Sequence, residues 1–408
     1  MGQYVNVAGV GGGNFYIYQC LCCECSSSPL CGETNSIELY EKYIGIDMLS
    51  LIVCTRHPHD LDELRRNVDA TIGMEYQWVV IDNSQNRYSL CAAYNEGVRR
   101  SKGEYLCFMH DDIIYHTMGW GKNVERHFQS TGVGMIGVIG SHIIPSVGDC
   151  RVGYTPYHVL HFIQCHHSFS HYDSYFAMHV RSCLQGSLTD VAVLDGVWFC
   201  IPKAMFGSGM LRFDEERFTS FHIYDLDISM QVVQSGRKLY VVDDVLLEHN
   251  SEGVYNESFV VALETFLEKW KGKLPVTRGM QIDTEQIKRN AAHYRDELVA
   301  RIERDRDMVA IINYWKLVNE GKNPPPLTHS QKMLSSLSEF LFMKNIVKYY
   351  PDKEISRNYL RNGLRSLSPK HRALILWKFF IYRVLRLPCS KKSVTFVIAS
   401  GSPTPTKR

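Results

Sequence analysis

The chain runs to 408 residues, 45% hydrophobic and 22% charged, with a formal net charge of +2. That balance excludes a disordered or collagen-like polymer and lacks the polycationic signature of a nucleic-acid binder. At ~150 residues per domain, the length accommodates one large domain with appendages, or two to three domains.

Residues 1–47 show no helical or strand period of useful length. Gly9, Gly11, Gly12 and Gly13 faintly follow a dinucleotide fingerprint, but Asn14 stands where its third glycine belongs. Cys20, Cys22, Cys23, Cys25 and Cys31 could bind zinc, although the spacing is not the usual pairing of CxxC units. The expectation for 1–47 is a poorly ordered Cys/Gly-rich extension, with Met48 a plausible start of the folded chain.

Regular patterning begins at once after it. "LSLIVCT" is a β-branched apolar run, and Leu61, Leu64, Val68 and Ile72 follow at helical spacing. "YQWVVID" reads as a second buried strand, "SLCAAYNEGVRRS" as a second helix, and "EYLCFM" as a third strand that ends in His110, Asp111 and Asp112. Three polar side chains at the end of a buried strand are costly to desolvate unless they bind something. Continuous apolar strands alternating with helices predict a parallel sheet covered on both faces, with its ligand beyond the carboxyl ends of the strands. Thr55, Asp82 and His110–Asp112 all fall at such ends.

A helix near 120–129 and a strand near 133–141 follow. Residues 142–190 are rich in His and Tyr and read as irregular, an acceptor loop. Their His158, His161, His166, His167 and His171 beside Cys165 match no standard zinc spacing. Regular patterning returns over 191–206, and a helix starting near Asp225 and a strand-like run ending in His249 follow within the regular part to 275. Residues 276–390 read as a helical region and 391–408 as a disordered tail. Within the former, 369–388 forms a basic, aromatic-rich amphipathic helix. It is suited either to an anionic membrane surface or to packing within a helical appendage.

Thirteen cysteines are too few for a disulfide scaffold, and Cys54, Cys91, Cys107 and Cys200 lie inside apolar runs. With no signal peptide recognised and no uncharged run near the ~18 residues of a membrane span, the expected location is cytoplasmic, with peripheral contact at the inner membrane face.

Over 48–275 six motifs fall in one order. Asn95-x-Gly97, Gly103-Glu104-Tyr105 and His110-Asp111-Asp112 are followed by Asp195-Gly196, "RFDEERF" and "YDLDISMQVVQSG", with a final strand ending in His249. In this the chain resembles the family 2 glycosyltransferases, in particular those of bacterial surface-polysaccharide synthesis. The resemblance implies the GT-A fold, an α/β architecture with a mostly parallel, Rossmann-like central sheet between helices, here with a C-terminal helical appendage. It implies transfer of a sugar from a nucleotide-diphosphate sugar to a hydroxyl of a glycan or lipid-linked glycan precursor. Thr55, Arg56, Asp82, His110 and Asp111 would contact the nucleotide, Asp82 accepting from the base. Asp195 and Gly196 would lie by the acceptor. Asp112 and His249 would hold Mn²⁺ or Mg²⁺ to neutralise the departing diphosphate, the imidazole favouring Mn²⁺.

Two positions depart from the pattern: His110 replaces the first Asp of Asp-x-Asp, and Tyr224 replaces the Glu of a Glu-Asp pair. Asp225 is the candidate general base of an inverting displacement, its alternative being a helix N-cap; Asp227 reads as structural. A nucleotidyltransferase is the competing enzyme reading, but "TRHPHDLDE" lacks the glycine-rich loop it needs. A catalytically inactive nucleotide- or glycan-binding protein is the third.

Overall fold

The computed structural model describes residues 4–8, 14–18, 48–167, 175–251, 253–349, 367 and 369–379. The chain divides into two units, 1–46 and 47–408. In the first, Tyr4–Ala8 pairs antiparallel with Asn14–Tyr18. The glycine run thus stands between two strands instead of opening a helix, which removes the dinucleotide reading. The cysteine cluster 20–31 lies outside the described residues, as do 391–408.

The second unit is built on a seven-stranded sheet. Its first half is β1 (Leu49–Thr55), α1 (Asp62–Thr71), β2 (Tyr76–Asp82), α2 (Leu90–Arg100) and β3 (Tyr105–Met109), followed by the short β4 (Ile113–Tyr115) and α3 (Trp120–Phe128). Strands β1, β2 and β3 run parallel. Further on, β5 (Val133–Gly137), β10 (Leu188–Val191), β12 (Trp198–Pro202) and β13 (Lys238–Val242) complete the order β10-β13-β5-β12-β3-β1-β2. Five strands share one direction; β12 and the edge strand β10 run against it. Close packing against β1 and the residue before it explains two motif glycines. A Cβ on Gly97 would lie 2.4 Å from Ile52 Cγ2, and one on Gly103 would lie 2.5 Å from the Met48 carbonyl oxygen. Asn95 fastens helix α2 by donating to the Phe213 carbonyl (2.8 Å) and accepting from its N–H (3.2 Å).

Within 142–190, expected to be irregular, residues 158–167 and 175–182 instead form two of the six strands of a second sheet. It comprises β6 (Ile139–Ser141), β8 (His158–His167), β9 (Tyr175–Ser182), β11 (Val193–Leu194) and β14 (Leu247–His249), in the order β11-β6-β8-β14-β4, with β9 paired to β8. A separate two-stranded ladder joins β7 (Ile143–Ile144) to β15 (Val276–Thr277). The misreading has a physical cause. His161 is buried and its ring lies 5.2 Å from that of His179, so a residue counted as polar occupies an interior strand position.

After the short α4 (Ala204–Gly207) come α5 (Tyr224–Gln234) and α6 (Glu257–Lys269). The C-terminal part holds α7 (Thr284–Arg289), α8 (Ala291–Asn319), α9 (His329–Tyr349) and α10 (Pro369–Phe379). Helix α8 packs on the sheet domain. Tyr294 stacks on Tyr154 at 4.0 Å, and the buried Asp305 accepts from Tyr255 N–H (3.0 Å) and Arg301 Nε (2.8 Å). Helix α10 meets α9 through His371, stacked 5.0 Å from Phe340 and 2.9 Å from Ser336 Oγ, while Leu374, Leu376 and Trp377 stay exposed. Residues 380–388 of the expected amphipathic helix lie outside the described residues. Among the described residues no helix is long and apolar enough to cross a membrane.

Because the atoms facing Gly103 are backbone atoms of β1, the site cannot yield by a rotamer change. Gly103→Ala is expected to lower unfolding stability by about 1–3 kcal/mol in urea titrations; an unchanged midpoint would contradict the close approach.

Candidate active site

The carboxyl ends of β1, β2 and β3 meet as the sequence predicts. Thr55 and Asp82 sit opposite one another in the β1–β2 register. Thr55 Oγ1 donates to Asp111 Oδ2 at 2.6 Å and accepts from the His57 N–H at 3.0 Å, which fixes the first loop against the third strand end. Asp82 is exposed, and its carboxylate is held below its usual range by hydrogen bonds from Ser84, backbone first. Arg56 is exposed with its guanidinium 4.9 Å from the centre of the Phe221 ring.

A second group gathers just beyond. One ligand atom each from His110, Asp112 and His249 lies within 4.8 Å of the others. His110 Nδ1 is 3.3 Å from His249 Nε2, and Asp112 Oδ1 is 3.6 Å from His249 Nε2 and 3.8 Å from His110 Nδ1. Two imidazole nitrogens and a carboxylate oxygen this close suit a divalent first-row cation. Pairing of Ile113 with His249 sets the register, and Asn250 N–H donates to the Asp112 carbonyl at 3.0 Å.

Strand β8 braces this group from behind. Gln164 Nε2 donates to the carbonyls of His249 (3.3 Å) and Ser251 (3.0 Å). The Cys165 thiol bonds Glu248 Oε1 (2.9 Å) and Asn250 Oδ1 (3.1 Å), and Glu248 Oε2 lies 2.9 Å from His116 Nε2. Among the described residues of 158–173 zinc finds no support. Burial and Glu248 push the Cys165 thiol well up, so it stays protonated. His158 bonds the Cys150 carbonyl, and burial, then His179, lowers His161 to about 4. The side chains of His166 and His167, and the whole of His171, lie outside the described residues. Among the described residues His110, Asp112 and His249 form the grouping suited to a metal.

Asp225 lies 2% exposed in the first turn of α5. It is not the N-cap: that position belongs to Ile223, a buried β-branched residue at φ 67°, in the left-handed region such side chains rarely adopt. Asp225 Oδ2 accepts from Gly196 N–H and from Arg151 Nη1, each at 3.0 Å, while Oδ1 accepts from Leu226 N–H at 3.0 Å. Burial raises the carboxyl to about 6, with Arg151 opposing and Asp195 and Asp149 adding to the rise. Asp195 Oδ1 accepts from Val197 N–H (3.0 Å), and His110 N–H donates to the Val197 carbonyl (3.1 Å). The turn 195–197 therefore joins Asp225 on one side to His110 on the other.

Arg151 and Asp149 were not singled out in the sequence. They lie in the His/Tyr-rich stretch, and no periodic signal separates them from a loop. Asp149 is fully buried and grips the guanidinium through Nε (2.9 Å) and Nη2 (2.8 Å). Arg151 and Asp225 line a small pocket with Asp195, His158 and an apolar wall that includes Ile139, Leu160 and Leu194.

The family described as "Glycosyltransferase like family" matches residues 50–264, just over half of the chain. The chain belongs to that family. No curated protein matches it. Among solved structures, residues 1–349 of S. aureus TarS align at 12% identity and TM-score 0.37, covering 81% of this chain and 86% of that one. GalNAc-T7 with UDP, GalNAc and Mn²⁺ aligns at 11% and 0.33, covering 70% and 60%. A197 from STIV aligns at 9% and 0.29, covering 50% and 86%. At these values the likenesses bear on no residue of the site.

Within this glycosyltransferase the departure at Tyr224 has a steric counterpart. A Cβ on Gly196 would lie 1.8 Å from the Tyr224 hydroxyl, and the Tyr224 ring packs edge-on to Tyr94 at 5.4 Å. The tyrosine thus fills space that only a glycine at 196 leaves open.

Mn²⁺ titrated into the protein without nucleotide, followed by electron paramagnetic resonance of the free ion, should show binding that Asp112→Ala abolishes. Gln164→Ala, which removes the brace on the His249 backbone, should weaken it by about 10-fold.

Proposed function

We propose that this glycosyltransferase moves a sugar from a nucleotide-diphosphate donor to a hydroxyl of a glycan or lipid-linked glycan precursor in a single inverting displacement. The observation that carries the reading is Asp225. It is a buried carboxylate on a pocket, raised towards neutrality, joined through the turn 195–197 to the group at the strand ends.

The nucleotide would lie over Thr55, Arg56, Asp82, His110 and Asp111, where the exposed Asp82 can accept from a base N–H. Asp195 and Gly196 would border the acceptor. The acceptor oxygen attacks the anomeric carbon and gives its proton to Asp225, and the bond from that carbon to the diphosphate oxygen breaks with its electron pair leaving on the diphosphate. Asp225 has the right poise for this: a base near the working pH combines a large deprotonated fraction with adequate proton affinity. Its bonds from Gly196, Leu226 and Arg151 hold the carboxylate in place during attack. A divalent cation held by Asp112 and His249, with His110 adjoining, would supply charge neutralisation for the leaving diphosphate, and the imidazole favours Mn²⁺ over Mg²⁺. The exposed Leu374, Leu376 and Trp377 beside Lys370 and Arg372 support peripheral contact with an anionic membrane, which suits a lipid-linked acceptor.

The test is nucleotide release from a panel of UDP-, GDP- and dTDP-sugars, with and without Mn²⁺. Metal-dependent release from one donor is expected, lost in Asp112→Ala together with donor binding. Asp225→Asn should cut turnover by about 10²–10⁴-fold while donor binding survives. Release unaffected by Asp225→Asn would remove the base assignment. Since the base must be deprotonated, kcat/KM should rise with pH through about 6 and level off above it. A profile flat from pH 5 to 8 would contradict this.

A further inference from the structure

Arg151 is built into the site more firmly than a chance ion pair requires. Its guanidinium is shared among three carboxylates. Asp149 takes Nε and Nη2 in a two-point grip, and Nη1 is divided between Asp225 at 3.0 Å and Asp195 at 3.4 Å. The planar fork fits this task and a lysine ammonium does not, because a single point charge cannot span Asp149 and Asp225 together. The backbone around it is equally constrained. Gly148 (φ 72°) and Gly153 (φ 78°) flank the residue in the left-handed region, and a Cβ on Gly153 would lie 3.0 Å from Tyr294 Cδ1. Tyr154 stacks on Tyr294 and donates to the Val147 carbonyl at 2.7 Å. Helix α8 therefore clamps the loop that delivers Arg151.

We propose that Arg151, anchored by Asp149 and by the α8 clamp, is a positioning residue that fixes the orientation and charge state of Asp225. The proposal rests on Asp225 being the base of the transfer. The groups facing Asp225 have opposite signs. Arg151 from the loop favours the carboxylate, whereas Asp149 from the loop and Asp195 from the turn after β11 disfavour it. His158 from β8 lines the same pocket, and the phenols of Tyr224 and Tyr255, which burial keeps protonated, lie within electrostatic reach of these charges. Because Nη1 is shared, removing Asp195 would leave that nitrogen wholly to Asp225, with Nε and Nη2 still held by Asp149. Substitutions on the two sides of Asp225 must therefore move its titration in opposite directions, which a merely structural role for either residue does not require.

The experiment is ¹³C-carboxyl NMR of the full chain labelled at aspartate, with the Asp225 resonance assigned by its absence in Asp225→Asn. The wild-type resonance should titrate near 6. Arg151→Met should raise the midpoint by about one unit or more, and Asp195→Asn should lower it. Should Arg151→Met fail to fold, Arg151→Lys keeps the charge and is read instead, with a smaller upward shift expected. A midpoint unmoved by the Arg151 substitution, or one that rises in Asp195→Asn, overturns the proposal. The pH profile of donor turnover then separates the two readings. If the NMR midpoint shifts but the acid limb of kcat/KM does not follow, Arg151 still positions Asp225 and the base assignment fails. If both shift together, both stand.

Discussion

A carboxylate removed from water is the constraint on which the rest of this site depends. Asp225 has almost no solvent, so its charge survives only where the protein supplies donors in place of water. Three do so: the Gly196 and Leu226 amides and the Arg151 guanidinium. Each donor brings a requirement of its own. The amide of residue 196 can approach only if that residue lacks a side chain, since Tyr224 occupies the space. The amide of Leu226 is offered by the first turn of a helix entered through a strained Ile223. The guanidinium must itself be desolvated, which is tolerable because the buried Asp149 accompanies it. Removing one partner from such a buried set costs about 3–5 kcal/mol, so the group is either complete or expensive.

The same logic explains why distant segments are tied together. The loop 145–157 gains its shape from Tyr294 on α8, and Tyr255, two residues before α6, is fastened by Asp305 on the same helix. Among the described residues the helical region after 276 is thus part of the frame of the site, contributing no side chain to the pocket lining yet holding the loop that does.

How much of this was legible in the sequence follows from what each signal encodes. Strands β1 to β3 and helices α1 and α2 were readable because buried parallel strands are continuous apolar runs and the helices carry a clean 3.6 period. Their polar ends, Thr55, Asp82 and His110–Asp112, followed directly. The reversal of β12 was not readable, since a buried strand looks the same in either direction. Strands β8 and β9 were missed because histidines placed inside a sheet count as polar in any pattern. Arg151 and Asp149 were invisible for a related reason: their meaning lies in a tertiary contact with a carboxylate 74 positions away. Asp225 was singled out through the order of motifs, while its neighbours needed coordinates.

Strand β8 carries a consequence for how this enzyme can vary. Its first residues, His158 to Leu160, pair with β6 on the pocket wall, and Ile163 and Gln164 pair with β14 beside His249. One strand therefore acts as a ruler between the pocket wall and His249. An insertion or deletion between Leu160 and Ile163 would turn every later side chain to the opposite face and pull His249 out of step with the pocket. Length is frozen in that segment. Variation there must come by exchange of side chains, because the spacing that holds the pocket wall in step with His249 leaves no room to add or lose a residue.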